Sequence, residues 1–117
     1  RRAEVTDYQR SIEAISRAEK ALRRWDTAAA RAAYAEAAAI QGAWVATLGD
    51  DKPRTRSVYT ASVIALHFKA GNYVTARQLA EGALSQPWLM EHSAMRIREV
   101  LATLPQTPAP SSATVPR

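Results

Sequence analysis

His67, His92 and the adjacent carboxylates Asp50 and Asp51 are the side chains of this 117-residue chain best suited to metal, acid or base chemistry. A zinc site asks for two histidines one helical turn apart, or for cysteines that complete a tetrahedral set. The two histidines fall on different predicted helices and the chain has no cysteine. That absence also removes cysteine nucleophiles and disulfides, and leaves the redox compartment open. Asp50 and Asp51 sit among Lys52, Arg54 and Arg56, which is the composition of a solvated turn rather than of a carboxylate pair for acid and base work. The glycines at 42, 49, 71 and 82 stand singly, so no loop of them cradles a phosphate. No Ser, His and Asp set has nucleophile-elbow spacing. The residues therefore predict no catalytic centre, no metal and no cofactor, and the chain reads as non-catalytic.

Sixteen basic against eleven acidic side chains give a net charge of +5, a modest preference for acidic surfaces. The basic loop Lys52, Arg54 and Arg56, with Arg1 and Arg2, could contact phosphates. No aromatic is interleaved with these cations, which makes nucleic acid the lesser reading. Thirteen of the cations are Arg and 25 residues are Ala, a bias that fits a GC-rich bacterial genome. No run reaches the ~18 to 20 apolar residues of a membrane span, and no apolar stretch follows Arg1 and Arg2. A soluble, cytoplasmic protein is the expectation. The missing initiator methionine adds the expectation of a processed product or a piece of something longer.

The elements that must position any site are helices. From Ala3 to Arg24 the residues Val5, Tyr8, Ile12, Ile15, Ala18 and Leu22 recur every three or four positions, which predicts an amphipathic helix buried along that line. Asp26 or Thr27 can cap a second helix, whose line Ala30, Tyr34, Ala37, Ile40 or Gln41, Trp44 and Leu48 runs until Gly49 stops it. Its face is mostly alanine, so a neighbouring helix can come close. Gly49 to Arg54, with Pro53, predicts a loop. A third helix, about Thr55 to Ala70, has two apolar sides, Val58, Ala61, Ala65 and Phe68 on one and Tyr59, Val63 and Leu66 on the other, which predicts a central position. Gly71 and Asn72 make a turn into a fourth helix, Tyr73 to Ser85. Pro87 predicts the first turn of a fifth, whose stripe Met90, Ala94, Ile97, Leu101 and Leu104 caps the stack. Residues 1–104 form the helical domain. Residues 105–117, with four prolines in 13 residues, predict an extended tail with almost nothing to bury.

Aligning the two hairpins on their turns superposes Asp26 on Asn72, Ala30 on Ala76, Tyr34 on Ala80 and Ala37 on Ala83, a constant offset of 46 residues. The segment from Lys69 through Gly71, Asn72, Tyr73 and Ala76 to Ala83, Leu84 and Pro87 resembles the second half of a tetratricopeptide repeat (TPR) motif. The offset exceeds the standard repeat, and Trp25 stands where the first turn would have glycine. The resemblance implies an all-α fold of stacked antiparallel hairpins, a short TPR-like α-solenoid of about five helices. It also implies a concave groove lined by the first helix of each pair, with Ser16, Glu19 and Arg23 on helix one and Ser62, Ala65, Phe68 and Lys69 on helix three facing a partner segment. The expected function is a protein–protein interaction module or scaffold. A structural subunit of a homo-oligomer or larger assembly is the alternative, and nucleic-acid binding through Lys52, Arg54 and Arg56 comes third.

Overall fold

The computed structural model describes the backbone of residues 2–105 and the side chains of residues 6–105. The tail at 106–117 and the Arg1 and Arg2 side chains, both part of the sequence reading, lie outside the described residues. The described chain is all helical: α1 (Arg2–Arg23), α2 (Thr27–Val45), α3 (Pro53–Lys69), α4 (Tyr73–Leu84) and α5 (Glu91–Thr103). Each helix packs on the next in α1–α2–α3–α4–α5 order, and α5 also packs on α3, so α3 touches α2, α4 and α5 and holds the central position. Among the described residues no helix is long and apolar enough to cross a membrane.

The α1 contact differs from the expected line. The residues of α1 buried against α2 are Ser11, Ala14, Ala18 and Ala21, while Tyr8, Ile12 and Leu22 remain 44%, 42% and 46% exposed. Alanine explains it: α2 presents Ala30, Ala33, Ala37 and Ala38, and two small-residue faces let the helix axes approach until the bulkier side chains no longer fit between them. Tyr34 fills the remaining space in this cluster.

Three boundaries also move. α2 ends at Val45 rather than at Gly49, because Thr47 Oγ1 donates to the Trp44 carbonyl at 2.6 Å and the backbone tightens into three-residue turns at Thr47 and Leu48. α3 starts two residues earlier than expected, with Pro53 in its first turn, where the missing N–H costs nothing. Pro87 does not open α5. It lies in the Gln86–Met90 connection, and α5 begins only at Glu91 because Ser57 Oγ accepts the Met90 N–H at 3.0 Å. The buried Ser57 hydroxyl also lies 3.4 Å from the Trp88 carbonyl, so α3 holds the end of the α4–α5 connection at Trp88 and Met90.

The 46-residue offset is visible in the backbone. Trp25 and Gly71 both have positive φ, 62° and 85°. Asp26 N–H donates back to Ala21 O and Asn72 N–H to His67 O, each at 2.9 Å, the six-to-one bond of a Schellman turn. Ala30, Ala76, Tyr34, Ala80, Ala37 and Ala83, paired by the offset, are all buried. Asp26 caps α2 by accepting from Ala29 N at 3.1 Å, whereas Asn72 makes no side-chain cap bond on α4.

Candidate functional site

Three contacts fix how α1 and α3 stand on either side of α2. At one end, Tyr8 of α1 meets Tyr59 of α3 edge to face at 6.4 Å, and Tyr59 in turn packs at 4.6 Å on Trp44 of α2. In the middle, buried Gln41 of α2 donates from Nε2 to Ser11 Oγ of α1 at 3.2 Å and accepts from Ser62 Oγ of α3 at 2.8 Å. The Ser11 hydroxyl in turn donates a hydrogen bond to the Tyr8 carbonyl at 2.8 Å, which completes the chain. At the other end, Leu22 of α1, Tyr34 of α2 and Lys69 of α3 line one pocket of about 320 Å³. The result is a trough with α1 and α3 as walls and Tyr34 and Gln41 in its floor.

On α1 the positions Tyr8, Ile12, Ser16, Glu19 and Arg23 follow at steps of four, four, three and four, so they share one face. On α3 the positions Val58, Ser62, Ala65 and Lys69 do the same. All nine are exposed or half-buried. The sequence-derived positions Ser16, Glu19, Arg23, Ser62, Ala65 and Lys69 belong to these two helix faces, and Lys69 also lines the pocket at the turn end. Phe68 stands off this line, half-buried with its ring 5.9 Å from Tyr73 of α4. Sequence reasoning had placed Tyr8, Ile12, Leu22 and Val58 in helix cores, and their exposure adds them to the site. The signal for the first three was the Ser11, Ala14, Ala18, Ala21 row, which has the same helical spacing as the bulkier line beside it.

The trough is apolar at its walls and mixed in charge at its rim, where Glu19, Arg23 and Lys69 are exposed. Lys69 Nζ lies 5.6 Å from the centre of the Tyr34 ring, a cation–π approach. Burial, and secondarily the charge of Glu19, raises the pKa of the Tyr34 hydroxyl. Burial, and secondarily Tyr8, raises that of Tyr59 in the same way.

The basic loop is divided. Lys52 and Arg54 are exposed, but Arg56 is committed to the fold, with Nη1 2.6 Å from Asp50 Oδ1 and Cζ 4.1 Å from the Trp88 ring centre. His67 and His92 stay apart, one half-buried in α3 and one exposed in α5, and among the described residues no three His, Asp or Glu side chains gather. His67 faces a separate apolar cleft of about 350 Å³ between α2 and α4, with Ala39, Gly42, Ala43, Val63 and Leu79. Burial lowers its pKa. Searches with the whole chain matched no family model, no curated protein and no solved structure.

Proposed function

We propose that the chain is a short TPR-like helical repeat that binds another protein, a segment of which lies in the trough between α1 and α3. The observation that carries this reading is the row of large apolar side chains left outside the core. Tyr8, Ile12 and Leu22 are each more than two-fifths exposed along α1 while alanines fill the core beside them, and Val58 is 42% exposed on the facing wall. Such a row, rimmed by Glu19, Arg23 and Lys69, has the composition of a docking groove for an amphipathic helix or an extended peptide. The matched turns at Trp25 and Gly71 support the repeat architecture that puts the first helix of each pair on one side.

Affinity capture tests the reading. Ile12→Asp and Ala65→Asp place charge in the trough at positions outside the core, so the circular dichroism spectrum and melting temperature stay near those of the parent chain. Ala39→Asp does the same in the other cleft. A partner that is captured by the parent and by Ala39→Asp, and lost by both trough variants, supports the proposal. A partner lost only by Ala39→Asp contradicts it.

A further inference from the structure

At the turn end of the trough, the pocket shared by Leu22, Ala30, Arg31, Tyr34 and Lys69 joins an apolar floor to two cations. Neither cation has an acidic partner: the ion pairs among the described residues engage Arg10, Arg17, Arg56 and Arg98, but not Arg31 or Lys69. Both approach other groups of the fold. The Arg31 guanidinium lies across the second turn, so that a Cβ on Gly71 would stand 3.3 Å from its Cζ, and Lys69 rests over the Tyr34 ring. Two cations outside these ion pairs, in one pocket with Leu22, which is 46% exposed, form a site for a negative charge adjoining a bulky apolar group.

Trp25 lies in the turn between Leu22 and Thr27, two residues that line the pocket. It is 91% exposed, and its backbone holds the left-handed conformation at φ 62°. For a large aromatic that conformation is strained, and an exposed ring makes little contact with its own fold to offset the strain. The equivalent turn uses glycine at Gly71, which meets the same backbone demand freely. A strained, solvent-facing tryptophan in the turn that joins two pocket residues has the character of a binding anchor, since tryptophan and arginine dominate the energetics of protein interfaces.

We infer that this pocket selects the partner by an acidic residue next to a large apolar one: the apolar side chain seats on Leu22 beside the Trp25 turn, and the carboxylate is held between Arg31 and Lys69. The inference deepens the trough reading and rests on it. A protein segment fits better than nucleic acid here. The site is a single depression whose floor aromatic, Tyr34, is only 6% exposed and lies under Lys69, so Trp25 alone could stack a base, and a strand needs successive stacking platforms.

The test is panning of a random display-peptide library on the full chain, followed by affinity measurements with the best synthesised peptide and with a 20-nucleotide oligo-dT. The expected winners carry Asp or Glu adjoining Leu, Ile, Met, Phe or Trp. Arg31→Gln and Lys69→Gln should each weaken the best peptide about tenfold, the loss of one charge-assisted contact. Trp25→Gly should weaken it to a similar degree while raising the melting temperature, which separates lost contact from lost fold. Lys69→Glu should turn the selection towards peptides with Lys or Arg. Winners without an acid, or acidic winners indifferent to Arg31→Gln and Lys69→Gln but lost in Ile12→Asp, would overturn the pocket and leave the trough reading standing. No winners, or winners indifferent to all three substitutions, would overturn both. Oligo-dT binding more tightly than every peptide and lost in Arg31→Gln would overturn the protein-segment assignment in favour of nucleic acid.

Discussion

Trp25 and Gly71 hold the same left-handed backbone conformation, 46 residues apart, at the ends of the first helix of each hairpin. The hydrogen bonds that follow are also matched: Trp25 N–H to Leu22 O at 2.9 Å, and Gly71 N–H to Phe68 O at 3.0 Å. Both turns close with the same hydrogen-bond pattern, although one position holds tryptophan and the other glycine.

Trp25→Gly should therefore stabilise the chain by about 1 kcal/mol, the relief of a left-handed conformation in a residue with a Cβ. Gly71→Ala should destabilise it by at least about 1 kcal/mol, since the new Cβ takes on the same strain and also presses on Arg31 at 3.3 Å. Urea unfolding curves of the two variants check the opposite signs.

Gln41 joins three helices from a site only 4% exposed, with Ser11 and Ser62 as its partners. Gln41→Ala leaves two hydroxyls without this partner and opens a small cavity, a loss of about 2–4 kcal/mol. A double-mutant cycle with Ser62→Ala should show coupling of about 1 kcal/mol. Independent, additive losses would mean that the bond contributes nothing to joining α2 and α3.

Ser57→Ala removes the acceptor of the Met90 N–H and the donor to the Trp88 carbonyl. The expected loss is about 1–2 kcal/mol. Amide hydrogen exchange should locate it, with faster exchange from Trp88 to the first turn of α5 and little change in α1.

Stability should also depend on pH through His67. Burial holds its folded pKa below the usual 6.5, so the unfolded chain binds a proton that the folded chain resists. Stability from this source is full above about pH 6.5 and declines as pH falls below that value towards the depressed folded pKa. Glu36, held below the usual carboxylate range mainly by its hydrogen bond from Arg17, acts only at lower pH. His67→Gln should flatten the change in urea midpoint between about pH 7.5 and about pH 5.

Helix identity and order were legible because the apolar residues keep the helical period and because Asp26 and Gly71 mark ends by local chemistry. Rotation of α1 was not. Its alanine row and its bulky row have the same period, and only the alanine face of α2 decides which is buried, a tertiary preference for close approach over bulk. The start of α5 was equally hidden, since Ser57, 33 residues upstream of Met90, sets it. Six of the seven expected groove positions share the α1 and α3 faces by helical periodicity alone. The Arg31 and Lys69 pocket draws on three helices, a convergence invisible along one chain.

A photo-crosslinking residue placed in turn at Ile12, Ala65 and Ala39 tests the docking trough most directly. Ile12 and Ala65 stand on its two walls and Ala39 in the separate cleft. The account predicts that the same protein is crosslinked from Ile12 and from Ala65 and is absent from Ala39. Adducts formed from Ala39 alone, or none from either wall, would contradict it.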